Sequence, residues 1–315
     1  MLFRSNGVAL LLGHGDGTFE KVTVEVASTD VVIAADLDRD GNQDLVATGN
    51  RLAVLRGHGD GTFEPAVYYV GGDAVPGADV NLFGVAAADL SGDGIPDLVA
   101  ADFARSQLEV LFGQGDGTFD ARSSYPCPNC ISVAAADLDA DGDLDVVATS
   151  FKPFVQSGRL FRFFNDGSGQ LADAVGNDPL GNAHAIGVGD LNNDGALDVV
   201  TANDGSFNVS VLLGHGDGTL GDAQSYAAGN SHTVVVVDLD GDGLLDVLSG
   251  STQHTMIWFY RGAGDGRLIE TQGIDTSQDW PTQVVVADFN GDGRLDIAYC
   301  QSGDGRQTVT VLLAQ

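Results

Sequence analysis

A nine-residue acidic motif recurs six times along the 315-residue chain, and this recurrence constrains the fold more than any other feature. Consecutive copies begin 53, 48, 53, 48 and 50 residues apart. A regular period of this length is typical of stacked-repeat architectures, in which each repeat is one supersecondary unit that packs against its neighbours. The copies occupy residues 36–44, 89–97, 137–145, 190–198, 238–246 and 288–296.

The composition of the motif predicts a cation site. Its first, fifth and ninth positions are always Asp, its sixth is always Gly, and its third always carries a side-chain oxygen. Crowded carboxylates repel one another unless a cation lies among them, and a hard ion such as Ca²⁺ takes about six to eight oxygen ligands. An ordinary turn also favours Asp and Gly, but it would not require oxygen at the same four positions in every copy.

The seventh position of the motif varies without restraint, as expected if only its backbone carbonyl binds the ion. We therefore predict up to six Ca²⁺ sites, each formed by the first, third, fifth, seventh and ninth residues of one motif. The predicted ligands are Asp36, Asp38, Asp40, Asn42 and Asp44; Asp89, Ser91, Asp93, Ile95 and Asp97; Asp137, Asp139, Asp141, Asp143 and Asp145; Asp190, Asn192, Asp194, Ala196 and Asp198; Asp238, Asp240, Asp242, Leu244 and Asp246; and Asp288, Asn290, Asp292, Arg294 and Asp296.

Each repeat contains four predicted strands and no sustained helical periodicity. Strand A precedes the acidic motif and strand B follows it. Strands C and D flank a glycine-rich turn, as in LLGHGDGTF at 11–19. Strand A is rich in Ala, Gly and Val, and such small residues suit the crowded centre of a radial fold. The sequence therefore predicts an all-β protein, a β-propeller of four-stranded blades with the acidic loops between strands A and B.

The pairing of DxDxDGxxD after strand A with LLGxGDGTF between strands C and D resembles the FG-GAP/VCBS repeats of integrin α-subunit propellers and of many bacterial surface and secreted proteins. The resemblance covers essentially the whole chain and implies structural Ca²⁺. It favours seven blades, two of them incomplete, over six blades with the last completed by an N-terminal strand. A start in mid-repeat also suggests a fragment of a longer protein. We expect one domain over 1–315, with a partial blade at 1–27 and repeats near 28–79, 80–129, 130–180, 181–230, 231–279 and 280–315, the last incomplete.

The net charge and the cysteines limit which partners and which cellular location are plausible. The net charge is −31 with only 14 Lys and Arg, which argues against nucleic acid and against anionic membrane surfaces. No apolar run is long enough to cross a membrane as a helix, so membrane insertion is not expected. Cys127 and Cys130 in PCPNC lack a second cysteine pair for a zinc site, and we predict a local disulfide. A disulfide favours an extracellular or cell-surface location, with any secretion signal outside this chain.

The irregular loops between repeats and between strands B and C belong to the face opposite the acidic loops, and variable loops on a rigid scaffold usually carry recognition. Three histidines, His184, His232 and His254, lie in three different repeats and could meet only near the axis. The residues predicted to bind a glycan or a protein are Phe151, Phe154, His184, His254 and Trp280.

The sequence contains no H-E-x-x-H, G-x-S-x-G or P-loop signature. The predicted function is therefore a non-enzymatic recognition or adhesion module in which calcium is structural. The alternative is a catalytic or accessory domain of a secreted polysaccharide-degrading enzyme or hydrolase, because a pair of free carboxylates is compatible with this composition.

Overall fold

The computed structural model describes residues 7–16, 18–27, 29–70, 80–151, 158–271, 273–276, 280–301 and 308–314. Within these ranges the chain forms 26 β-strands and no helix. Strands that follow one another in the chain pair antiparallel in small sheets, and successive sheets pack side by side through their first strands. The predicted all-β propeller is confirmed.

Six sheets contain an innermost strand that leads into an acidic loop, and we number them blades 1 to 6. Blade 1 consists of β3 (Thr29–Ala35), β4 (Asp44–Gly49), β5 (Leu52–Leu55) and β6 (Val67–Val70), and blade 2 of β7 (Leu82–Ala88), β8 (Asp97–Asp102), β9 (Gln107–Gly113) and β10 (Phe119–Pro126). Blade 3 consists of β11 (Cys130–Ala136), β12 (Asp145–Ser150), β13 (Gly158–Phe163) and β14 (Val175–Leu180), and blade 4 of β15 (Asn182–Gly189), β16 (Asp198–Asp204), β17 (Asn208–Leu212) and β18 (Gln224–Ala227). Blade 5 consists of β19 (Ser231–Val237), β20 (Asp246–Ser251), β21 (Met256–Gly262), β22 (Leu268–Glu270) and β23 (Ile274–Asp275), and blade 6 of β24 (Pro281–Ala287), β25 (Asp296–Gln301) and β26 (Val309–Leu312).

The N-terminal segment forms a separate hairpin of β1 (Val8–Gly13) and β2 (Phe19–Val24), which in the described chain pair only with each other. It corresponds to strands C and D of a repeat. On one side its apolar residues pack on blade 1, and on the other the Phe19 ring lies edge-on to Phe289 of blade 6, with centroids 6.0 Å apart.

The expectation of seven blades is therefore wrong. The alternative count of six blades is correct, but in the described chain the N-terminal strands do not pair with blade 6 to complete it. The hairpin contacts blade 1 on one side and blade 6 on the other, but among the described residues it supplies no inner strand. An outer hairpin resembles a blade in sequence because strands C and D carry their own repeated turn, whereas a blade needs an inner strand at the axis.

The apolar core lies between adjacent blades. The second motif residue is always Leu or Phe, and it inserts into the interface with the next blade. Leu90 packs with Leu171 of blade 3, and Leu191 packs with Leu268 of blade 5. Burial of such a side chain stabilises the fold by about 1.5–3 kcal/mol. Each acidic loop is thus anchored beside its neighbour.

The inner strands approach one another closely near the axis. A Cβ atom on Gly84 of β7 would lie 2.7 Å from the Cα of Ser132 and 2.8 Å from the carbonyl oxygen of Ile131, both in β11. Real Cβ atoms do not come this close to backbone atoms, so only glycine fits here. The small residues of strand A therefore have a steric cause.

Candidate functional site

The ninth Asp of every motif is buried and joins two loops at one end of its blade. In blade 3, Oδ2 of Asp145 accepts the N–H of Leu138 at 3.0 Å, and Oδ1 accepts the N–H of Asn165 at 2.9 Å. Because Leu138 lies in the A–B loop and Asn165 in the C–D turn, one carboxylate holds both loops together. The same two bonds recur in all six blades, on Asp44, Asp97, Asp145, Asp198, Asp246 and Asp296.

The first and fifth Asp residues fold the acidic loop around its own carboxylates. In blade 2, Asp89 accepts the N–H groups of Asp93 and Gly94 at 3.1 and 2.7 Å, and Asp93 accepts the N–H of Ile95 at 2.8 Å. This wrapping turns the side chains of the loop toward one centre. In three loops the described carboxylate oxygens come within 4.8 Å of one another, in the groups Asp36, Asp38 and Asp40; Asp137, Asp139 and Asp145; and Asp238, Asp240 and Asp246.

Two of these carboxylate oxygens, Oδ1 of Asp36 and Oδ1 of Asp139, are buried and have no hydrogen-bond partner. Burial raises the pKa of the Asp139 carboxyl, and the negative charges of Asp141 and Asp137 add to this rise. Burial also raises the pKa of Asp38, next to three other acids of its loop. A divalent cation would coordinate the unpaired oxygens and relieve the repulsion, so the donor set fits a hard oxygen-seeking ion.

The loop of blade 5 differs because a protein cation contacts its acids. The Arg261 guanidinium lies 2.7 Å from Oδ2 of Asp240 and 2.9 Å from Oδ2 of Asp242. An ion bound in this loop would compete with Arg261 for two of its predicted ligands.

At the other end of the inner strands, the six blades surround an axial cavity of about 390 Å³. Every inner strand contributes lining residues from its first half, remote from the acidic loop that follows it. Phe83 and Ile131, on adjacent blades 2 and 3, form an apolar part of the wall, whereas His184 and His232, on adjacent blades 4 and 5, form a polar part.

His184 and His232 stack on each other, with ring centroids 3.6 Å apart and planes inclined by 34°. Phe151 lies edge-on to His184, with centroids 6.0 Å apart. Burial lowers the pKa of His184 to about 3, helped by the neighbouring His232, and burial also lowers the pKa of His232. Both rings are therefore neutral at pH 7, and each offers one hydrogen-bond donor and one acceptor.

The structure brings together two of the predicted ligand-binding residues, Phe151 and His184. His254 instead packs edge-on against Trp258 at 5.4 Å, and Trp280 is 43% exposed. Phe154 lies outside the described residues. Of the three histidines expected to meet only near the axis, His184 and His232 do meet there. His232 was not among the predicted ligand-binding residues, although it and His184 both stand six residues before the first Asp of their motif. That shared offset was the signal that places them at the same height on adjacent inner strands.

The sequence model of the FG-GAP-like repeat matches residues 36–100, 89–148, 190–249 and 238–299, which together make up more than half of the chain. The chain belongs to the FG-GAP-like repeat family. The predicted family is therefore confirmed, and the matched segments contain all six acidic motifs of this FG-GAP-like propeller.

Two solved structures resemble the FG-GAP-like propeller in fold. One belongs to a study of the specific recognition of non-reducing terminal N-acetylglucosamine by an Agrocybe aegerita lectin. It is 21% identical with a TM-score of 0.60, over 87% of this chain and 75% of that chain. The other, BBS1N in complex with ARL6DN, is 9% identical with a TM-score of 0.65, over 100% of this chain and 94% of that chain. At these identities the likeness shows the fold alone.

No curated protein matches the sequence of this FG-GAP-like propeller. In the part of the chain that the structure describes, no helix has the length and hydrophobicity needed to span a membrane.

Proposed function

We propose that this FG-GAP-like propeller is a non-enzymatic recognition module that binds glycans or proteins outside the cell or at its surface. The observation that carries the proposal is the shared fold with a lectin for terminal N-acetylglucosamine. FG-GAP-like propellers are generally non-catalytic, which agrees with the lack of a catalytic signature. The axial cavity lies at the end of the inner strands opposite the acidic loops.

Calcium is the proposed structural ion of the acidic loops. The first, third, fifth and ninth side chains and the seventh carbonyl of each motif would hold it, and the ion would neutralise a loop that otherwise gathers three or more acids. Two observations support this role: the buried, unpaired oxygens of Asp36 and Asp139, and the convergence of carboxylates in three loops. Bound Ca²⁺ would stabilise the folded ring by mass action because the unfolded chain has no such site.

The proposed setting is extracellular. Cys127 and Cys130 form a disulfide, both side chains are fully buried, and their Cα atoms lie 5.6 Å apart. Disulfides persist in oxidising compartments. Calcium sites of extracellular modules bind with a Kd of about 10⁻⁴–10⁻³ M, which suits the calcium concentration outside cells.

The calcium role is tested best in blade 3, because Arg261 contacts the acids of the blade 5 loop. The double variant Asp137→Ala with Asp141→Ala should lower the melting temperature more in calcium than in EDTA, where only the exposed hydrogen bonds of these acids to their own loop are lost. The matched control is Asp173→Ala, which removes an exposed acid of the same blade. Equal destabilisation in calcium and in EDTA would show that these acids do not act through a bound ion.

The recognition role is tested by binding of the folded protein to an array of glycans and matrix proteins, once with calcium and once with EDTA. Hits with calcium support the module, and their loss in EDTA would show that recognition depends on the acidic loops. Folded protein that binds no glycan and no protein in either buffer would contradict the proposal.

A further inference from the structure

All six inner strands carry a β-bulge at the same place. The register between strands A and B shifts between Thr29 and Val31 in blade 1 and between Ala183 and Ala185 in blade 4, and the other four blades repeat the shift. A bulge leaves one residue unpaired and re-aims its side chain, and bulges occur often beside functional sites.

The register shift always includes the residue six positions before the first Asp of its motif, and in blade 2 it also includes the next residue, Gly84. In the chain order of the blades the residues at this position are Asp30, Phe83, Ile131, His184, His232 and Thr282. All except Thr282 line the axial cavity, and in blade 6 the next residue, Gln283, does so. The β-bulge therefore recurs in every blade, whereas the side chain at this position varies. Only blades 4 and 5 share the same residue type, His. A repeated scaffold that presents varied side chains to one cavity has the form of a binding site.

The presented side chains are segregated around the ring. Apolar Phe83 and Ile131 are adjacent, and the polar residues occupy the consecutive blades 4, 5, 6 and 1. The Phe103 ring packs edge-on against Phe83, with centroids 5.6 Å apart, and the Phe151 ring packs edge-on against His184, with centroids 6.0 Å apart. Two of the cavity-lining side chains are thus supported by a second aromatic ring. The cavity thus has one apolar wall and one wall of hydrogen-bonding groups, which includes the Asp30 carboxylate.

Among the described residues, the cavity lining contains two polar atoms without a protein partner. Nδ1 of His232 and Oγ1 of Thr29 are buried and make no hydrogen bond, and both residues line the cavity. Buried polar atoms are nearly always hydrogen-bonded, so each of these needs a partner from a molecule in the cavity. Neutral imidazole and hydroxyl groups pair well with hydroxyl groups, which both donate and accept.

We propose that the axial cavity is the subsite for one neutral sugar ring, with its hydroxyl groups on His232, His184 and Thr29 and its C–H face toward Phe83 and Ile131. The cavity volume of about 390 Å³ falls within the usual range of small-molecule pockets and suits a single ring. An anionic ligand is disfavoured because Asp30 lines the cavity, the imidazoles are uncharged and the protein carries a net charge of −31. The hydroxyl groups of a neutral ring match these donors and acceptors. This inference rests on the proposed glycan recognition and names its site and ligand class.

The test uses methyl glycosides of glucose, galactose, mannose and N-acetylglucosamine, with binding to the folded chain measured by saturation-transfer NMR and calorimetry. Thr29→Val removes the unpaired hydroxyl without changing side-chain volume, and His232→Gln removes the stacked ring. The control is His215→Gln in the glycine-rich turn of blade 4, where the corresponding residue of blade 2 is Gln114.

We expect at least one glycoside to bind, and we expect Thr29→Val and His232→Gln each to weaken it tenfold or more while His215→Gln binds as the wild type does. Failure of all four glycosides to bind, as when only water fills the cavity, would overturn the proposal. So would binding that both cavity variants leave unchanged. If glycan-array hits survive in both cavity variants, the recognition function stands and the axial site falls.

Discussion

The double anchoring of the ninth Asp predicts that its loss destabilises the ring with or without calcium. In blade 1, Asp44 is fully buried, and its carboxylate accepts the N–H of Leu37 at 2.9 Å and the N–H of Gly57 at 2.7 Å. Asp44→Ala leaves both buried N–H groups without an acceptor, at a cost of about 1–3 kcal/mol each, or about 2–6 kcal/mol together. Asp44→Asn keeps one acceptor oxygen and should cost about half as much.

The assay is thermal unfolding in EDTA, monitored by circular dichroism. An unfolding entropy of about 2.1 cal/mol/K per residue makes 1 kcal/mol equivalent to about 1.5 °C for a chain of this length, so Asp44→Ala should lower the melting temperature by about 3–9 °C. The exposed Asp173→Ala is the control and should shift it by less than about 1 °C. If Asp44→Ala had the same melting temperature as the wild type in EDTA, the claim that this residue acts as a hydrogen-bond anchor would be refuted.

Three further predictions follow from single contacts. Because burial lowers the pKa of His184 to about 3, the unfolded chain binds a proton below pH 6.5 that the folded chain does not. Stability therefore falls as the pH is lowered from 6.5, by up to about 1.4 kcal/mol per pH unit. His184→Gln should therefore make the melting temperature fall less steeply between pH 6.5 and pH 4, with the remaining slope due in part to His232, whereas equal slopes in the variant and the wild type would contradict a buried neutral ring at His184. Gly84→Ala should lower the melting temperature by about 2–4 °C, since its Cβ would meet the backbone of β11. The control Gly176→Ala, whose Cβ would lie 3.8 Å from the nearest atom, should leave the melting temperature nearly unchanged. Equal effects of the two variants would count against the close approach of β7 and β11. Arg261→Gln should increase the calcium-dependent gain in melting temperature by about 1–2 °C, because the ion no longer competes with the guanidinium, and an unchanged gain would mean that the ion pairs do not oppose calcium.

The local structure of each repeat was predictable from the sequence because the motif fixes it. Asp and Gly at fixed offsets predict the A–B loop, and apolar runs on either side predict its strands. The blade count was not predictable in the same way. Residues 8–24 carry the signature of strands C and D, and this signature alone does not tell a complete blade from an outer hairpin.

The two roles of the ninth Asp were only half predictable. Its invariance indicated a ligand, but the bond from Asp44 to Gly57 joins residues 13 apart and depends on how strands B and C pair. The second motif position could have predicted the contact between blades. An apolar residue, Leu or Phe, in every acidic loop has to be buried against a neighbouring part of the fold, as Leu90 is between blades 2 and 3.

The meeting of His184 and His232 depended on the bulges of the inner strands. Bulges leave no clear mark in a single strand sequence, because they arise from the pairing of strands A and B around a tight axis. Their common offset from the motif becomes informative only when the repeats are aligned on the acidic loop, which puts both histidines at one height.

The central claim is that the six acidic loops are calcium sites on which the stability of this recognition scaffold depends. The most direct measurement is calorimetric titration of chelator-treated protein with CaCl₂, together with its melting temperature at each calcium concentration. At a Kd of about 1 mM, a tenfold excess of calcium should stabilise the fold by about 1.4 kcal/mol per occupied site, and several sites should fill. The account predicts saturable binding with a rising melting temperature. The account would be contradicted if about 10 mM calcium produced no heat of binding and the melting temperature were the same in calcium and in EDTA.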